Sequence, residues 1–275
     1  MLFAIVIAVR LIFYRMLIAG LLFFGPACAG EQASNGRGVS QKPQPKNVII
    51  MIADGGGFNH YKSGDYYRCG RSPCQDYEIF SVRMAMSTYP DGGSYDPNLV
   101  WADFDYVNNG ATDSAAAATA MACGIKTYNA AIGVDVNKNP VLNLVERAEQ
   151  LGKLTGVVTS VPFSHATPAG FVAHNPERDD YQGITKQMID NSSVDVVMGC
   201  GNPLYNQNGK QARNSNYKYI GSDVWTRLKA GTAGGDADGD GIPDPWKLIQ
   251  TRDEFQALAA GPAPRRVCGI PQVFE

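Results

Sequence analysis

The 275-residue sequence predicts an α/β protein built on a largely parallel sheet. A continuously apolar run, Asn47 to Ala53, has the composition of a strand buried on both faces, Thr155 to Val161 reads as another buried strand, and each ends in a polar cluster. Helix and strand patterns alternate between and after them, the order expected of right-handed crossovers in a parallel sheet. The formal net charge of −2, with no basic run, gives no indication of a nucleic-acid partner.

In chain order, residues 1–29 differ from the rest. Arg10 and Arg15 are their only charges, Met16 to Phe24 is apolar, and Ala27-Cys28-Ala29 offers a small-x-small cleavage site. This pattern predicts a signal peptide and an exported chain, periplasmic or extracellular. Each uninterrupted apolar run is too short to span a bilayer comfortably, so no stable membrane span is expected once the segment is removed. Cys28 raises lipoprotein anchoring as an alternative, although Gly25-Pro26-Ala27 before it is a poor version of that signal. Residues 30–46 read as a polar tether, and 47–275 as the α/β domain.

Asn47 to Ala53 runs straight into Asp54-Gly55-Gly56-Gly57. A carboxylate at the C-terminal end of a central strand stands where open α/β sheets place their ligand sites, and Asp-Gly is equally at home in a plain turn. Cys69 and Cys74 flank a short loop and are the expected disulfide of an oxidising compartment; zinc ligation by this pair lacks a second pair. Arg83 to Tyr89 reads as a strand, and Tyr89 to Asn98 as a turn-rich loop.

From Ser114 the alanine run predicts a helix, opened by Asp113 and Ser114 at the capping end and closed by Gly124. The Ser114 hydroxyl therefore lies among unpaired backbone amides, where it can be a cap or a nucleophile. Pro140 to Leu151 has amphipathic helical spacing and stops at Gly152. Thr155 to Val161 leads into Ser164-His165-Ala166-Thr167-Pro168-Ala169, Tyr181 to Asn191 reads as a helix, and Val194 to Met198 as a strand. Residues 202–245 turn polar and Gly-rich, which marks a surface insertion. Within it Asp236, Asp238, Asp240 and Asp244, spaced by glycines, can collect oxygen ligands around a calcium ion; a solvated acidic turn is the alternative, which mutual repulsion of the carboxylates disfavours. Asp253 to Ala260 reads as a last helix and Arg266 to Phe274 as a last strand.

Four pieces then stand in order: Asp54 with its glycines, Asp113-Ser114 heading an alanine helix, His165-Ala-Thr167-Pro-Ala, and Arg178 shortly after His174. This set resembles the alkaline phosphatase family. The resemblance implies a three-layer sandwich with helices on both faces of the sheet, and hydrolysis of small phosphate monoesters through a phosphoserine on Ser114. It implies Asp54 bridging a zinc and a magnesium, Ser114 at the zinc, Thr167 on the magnesium, His165 near that magnesium directly or through water, and Arg178 holding two phosphate oxygens. Relatives dimerise, so a homodimer is a further expectation. Independently of the family, phosphoryl transfer needs positioning and charge neutralisation, which metals and an arginine fork supply.

The family draws most of its zinc ligands from a portion beyond the residues present here. Only His60, His165 and His174 are available, and the resemblance assigns His60 no role. The sequence is therefore expected to be an N-terminal portion whose sheet is incomplete and whose activity alone is open. The competing function is an exported, non-catalytic calcium- or phosphate-binding remnant.

Overall fold

The computed structural model describes residues 2–8 and 46–275. In chain order the elements are β1 (Leu2–Ala8), β2 (Val48–Ala53), α1 (Phe58–Cys69), α2 (Pro97–Ala102), α3 (Phe104–Gly110), α4 (Ser114–Cys123), α5 (Leu144–Gln150), β3 (Leu154–Pro162), α6 (Ala166–Ala169), α7 (Tyr181–Lys186), β4 (Val196–Cys200), α8 (Ser222–Ala230), β5 (Lys247–Ile249), α9 (Arg252–Ala257) and β6 (Val267–Gly269). One sheet carries all six strands in the order β2-β1-β3-β4-β6-β5. Neighbours among β3, β4, β6 and β5 are parallel, as the alternation of helix and strand requires, whereas β1 is antiparallel to both β2 and β3.

The core lies where α4, α5, α6, α7 and α8 meet the sheet, around Ile132, Val157, Phe163, Phe171, Ile184, Met188, Val197, Trp225 and Leu228. The alanines of α4 serve close approach. A Cβ added at Gly170, the residue after α6, would stand 2.8 Å from the Ala118 Cβ, so the two helices touch nearly backbone to backbone. That proximity brings the end of β3 beside the head of α4.

Several expectations change. β2 is not buried on both faces: Val48, Ile49 and Met51 are exposed, because β2 is an edge strand whose only ladder partner among the described residues is β1. Residues 83–89 form no strand; Lys126 Nζ instead donates to the Ser87 and Tyr89 carbonyls. The helix expected from Pro140 starts at Leu144. Pro140 pairs with Val134, and Asn143 with Glu146 forms a capping box that sets the true start. α7 continues from Gln187 to Asn191 as a π-helical turn.

Residues 202–245 are not merely a surface insertion. Tyr219, Ile220, Val224, Trp225 and Leu228 are buried there, and large apolar side chains of this kind stabilise by about 1.5–3 kcal/mol each. Their polar and Gly-rich flanks conceal an apolar stripe on α8.

The segment read as a leader supplies β1, whose Ile5, Val6 and Ile7 favour a strand; residues 9–29, with Cys28, and nearly all of the expected tether lie outside the described residues. Cys69 and Cys74 form the expected disulfide, and Cys123, Cys200 and Cys268 are free thiols. Among the described residues no helix is long and apolar enough to cross a membrane.

A hydroxyl, carboxylate and guanidinium cleft at the strand ends

Ser114 is the first residue of α4, but it does not cap the helix. Asp113 does: its Oδ1 accepts the Ala116 amide at 2.8 Å. Capping by its neighbour leaves the Ser114 hydroxyl available, and Oγ donates to Asp54 Oδ2 at 2.9 Å, across from the end of β2. The same Asp54 oxygen accepts the hydroxyl of Thr167, on α6, at 3.1 Å. One carboxylate oxygen thus gathers two hydroxyls from segments 60 and 113 residues away in sequence.

Arg178 closes the group from the third side. Its Nη1 donates to Asp113 Oδ2 at 3.1 Å, and the same oxygen accepts the Ala130 amide at 2.9 Å. Asp113 therefore does two things at once: one oxygen caps α4 and the other ties the 130 loop and Arg178 to the head of the helix. Asp54, Gly55, Gly56, Thr112, Asp113, Ser114, Thr167 and Arg178 line one cleft of about 580 Å³, joined by Met86, Thr88 and Met121. The positive end of α4 and the guanidinium face the same space, which is the electrostatic setting of an anion site.

His165 does not line this cleft. Its ring stacks on Tyr181, centroids 5.3 Å apart, and meets Tyr219 edge-on. Burial holds its pKa below the ordinary imidazole value, and its Nε2 is buried without a hydrogen-bond partner.

The donors at the cleft, a carboxylate and two hydroxyls, suit part of the shell of a hard cation such as Mg²⁺. They do not suit two zinc ions: among the described residues no trio of His, Cys, Asp or Glu converges at Asp54. The trio that does converge is Asp236, Asp238 and Asp244, with ligand atoms within 4.8 Å of one another. Asp240 stands outside it and accepts the Ile242 amide instead. The repulsion expected in this loop is relieved by Arg265, which pairs with Asp238 and, at 2.6 Å, with Asp244.

Sequence reasoning missed both charge partners, Asp113 for Arg178 and Arg265 for the acidic loop. The first had a signal only for the helix cap, an Asp directly before the first helical residue, and none for a partner 65 positions away. The second had none, because Arg265 stands 21 positions after Asp244.

Taken together, the fold and cleft define an α/β protein that gathers a serine hydroxyl, a carboxylate and an arginine at the ends of its strands. The alkaline phosphatase family model matches residues 45–239, and the chain belongs to that family. It is 34% identical over 213 residues to alkaline phosphatase 4 of Bacillus subtilis, covering 70% of this chain and 42% of that protein. To alkaline phosphatase H of Pseudomonas aeruginosa it is 33% identical over 238 residues, 79% of this chain and 44% of that one. The crystal structure of a cold-active alkaline phosphatase from a psychrophilic Shewanella sp. superposes with a TM-score of 0.54 at 27% identity, covering 80% of this chain and 45% of that chain. The structure from the Antarctic bacterium TAB5 does so with a TM-score of 0.51 at 26% identity, covering 80% and 52%. The chain thus spans less than half the length of these two curated relatives.

Proposed function

We propose that this chain carries the serine, arginine and first metal-ligand portion of a metal-dependent phosphomonoesterase that works through a phosphoserine. The observation that carries the reading is the Ser114 hydroxyl, relieved of capping by Asp113 and directed at Asp54 Oδ2, 2.9 Å away. In the reaction Ser114 Oγ attacks phosphorus as its proton leaves toward Asp54. The ester P–O bond breaks, and the alcohol departs with the bonding electrons and takes up the proton that Asp54 had accepted. Water then cleaves the Oγ–P bond: its hydroxide goes to phosphorus, its proton passes through Asp54 to Oγ, and inorganic phosphate leaves. Arg178 faces two phosphate oxygens with its fork, oriented by Asp113, while the N-terminus of α4 adds its partial positive charge.

Asp54, Thr167 and Ser114 would hold a Mg²⁺, which supplies neutralisation of the phosphoryl charge. The residues present do not make the two-zinc site that the resemblance implies, and no step is assigned to zinc. A Ca²⁺ at Asp236, Asp238 and Asp244 is a further metal in this reading, and it would replace Arg265 as counter-charge. Export belongs to the same proposal. Cleavage after Ala29 would withdraw β1 from between β2 and β3, so the mass of the secreted chain tests the leader directly. Dimerisation is tested by its sedimentation.

The test of the chemistry is hydrolysis of p-nitrophenyl phosphate at alkaline pH with magnesium and zinc, together with mass spectrometry of the Ser114 peptide. Phosphate appearing on Ser114, and turnover lost in Ser114→Ala, is the expected result. Turnover that survives Ser114→Ala removes the proposal; phosphate binding without any turnover leaves the binding-remnant reading in its place.

A further inference from the structure

His174 stands four residues before Arg178 and is half-buried, and both of its ring nitrogens face acceptors. Nδ1 lies 2.7 Å from the Gly133 carbonyl oxygen, and Nε2 lies 2.7 Å from Glu146 Oε1. A carbonyl oxygen cannot donate, so Nδ1 carries a hydrogen. The bonds it accepts hold the Glu146 carboxyl below the ordinary carboxylate value, so it stands ionised opposite the ring and Nε2 donates as well. A neutral imidazole has one N–H, so opposite an ionised Glu146 only the imidazolium satisfies both contacts. Gly133 is fitted to this arrangement: its φ is +59°, and a Cβ there would meet the Ala173 oxygen at 2.2 Å and His174 Nδ1 at 2.8 Å.

The contacts continue to the cleft. Gln187 pins the His174 backbone through its N–H and its C=O, at 2.8 and 2.9 Å. Asn175 exchanges backbone bonds with Ile132, and its side chain accepts the Glu177 amide and donates to Asp180, closing the turn that presents Arg178. The 130–133 loop that receives His174 also sends the Ala130 amide to Asp113, the residue that holds Arg178.

We propose that His174 is a positioning residue for Arg178, held as an imidazolium between Glu146 and Gly133 so that the arginine turn is fixed against the head of α4. This rests on reading Arg178 as the phosphate clamp. The charged and titratable groups facing His174 are Glu146, Glu149 further along α5 on the same cavity, and the Cys123 thiol, which faces Glu146. The Glu146 bond raises the His174 pKa against the opposing effect of burial. Burial raises Glu146 in turn, but its bonds from His174 and Asn143 outweigh this and leave it below the ordinary carboxylate value. As pH rises through the His174 pKa, one of the two acceptors loses its partner and the turn is released.

The test follows the full chain by NMR across pH, recording the His174 ring N–H signals, the Arg178 Nε–H signal and the affinity for inorganic phosphate, in wild type, Glu146→Gln and His174→Gln. Arg178→Ala supplies the baseline for the titration of phosphate itself. Two ring N–H signals are expected, with the Arg178 signal and phosphate affinity both changing at the pH where His174 titrates. In Glu146→Gln that midpoint moves down by about one unit, equivalent to a roughly tenfold weaker hold on the ring proton. A single ring N–H throughout, or an Arg178 signal indifferent to His174 titration, overturns the proposal. If Arg178→Ala binds phosphate as wild type does, the clamp reading fails instead, and the coupling between the two NMR signals still decides the role of His174.

Discussion

Asp113 lets the helix cap be separated from the arginine anchor by two substitutions. In Asp113→Ala, the Ala116 amide loses its cap, about 1 kcal/mol. The Ala130 amide loses its acceptor, about 1 kcal/mol more. The pair with Arg178 is partly solvated, with side-chain exposures of 26% and 23%, and adds about 0.5 kcal/mol. Because these contacts share one carboxylate they are not strictly additive, and a total of about 2–3 kcal/mol is expected. Asp113→Asn keeps an oxygen for the cap but has no second one for both Ala130 and Arg178, so it should lose about 1–1.5 kcal/mol. Urea unfolding of the three chains reads both values, and the gap between the variants isolates the cap. Equal destabilisation by Asn and Ala would mean that the cap contributes nothing. Loss of less than about 0.5 kcal/mol in Asp113→Ala would refute the assignment of Asp113 as the junction of helix, loop and arginine.

Gly133→Ala should cost about 3 kcal/mol or more, since left-handed strain of roughly 1–2 kcal/mol comes on top of a backbone clash with the Ala173 oxygen; a thermal melt unchanged from wild type would contradict the geometry. Glu149 tests pH dependence. Burial pushes its carboxyl up to about 7 despite the Thr155 hydroxyl donated to it, so the fold favours the protonated form. Its contribution is therefore present at pH 4 and lost as pH rises toward 7. Glu149→Gln should leave stability nearly unchanged at pH 4 and raise it by about 1–2 kcal/mol at pH 8, a figure discounted for partial exposure to solvent. Chemical denaturation at the two pH values checks it, and equal effects at both would remove the assigned ionisation.

The alternation of apolar runs and helical spacing was enough to give the α/β class, the parallel pairing of β3 with β4, and α4 with its ends at Ser114 and Gly124. These are properties of neighbouring residues: propensity, periodicity and caps act within a few positions. Asp54 and Ser114 were legible as candidates for the same reason, each placed at the end of a recognisable element, whereas Thr167 and Arg178 were legible only through the resemblance to the alkaline phosphatase family. What depended on distant chain was not legible. The edge position of β2, the burial of α8 within an otherwise polar stretch, the pairing of Arg178 with Asp113 65 residues away, and the neutralisation of Asp238 by Arg265 are decided by which elements become neighbours. His165 shows the division most clearly. Its sequence context placed it beside the cleft residues, but packing against Tyr181 and Tyr219 turned its ring into an aromatic cluster. A sequence specifies which side chains can bond, cap or ionise. The tertiary structure decides which of them meet, because a hydrogen bond or ion pair acts over a few ångströms and only the fold brings distant residues that close.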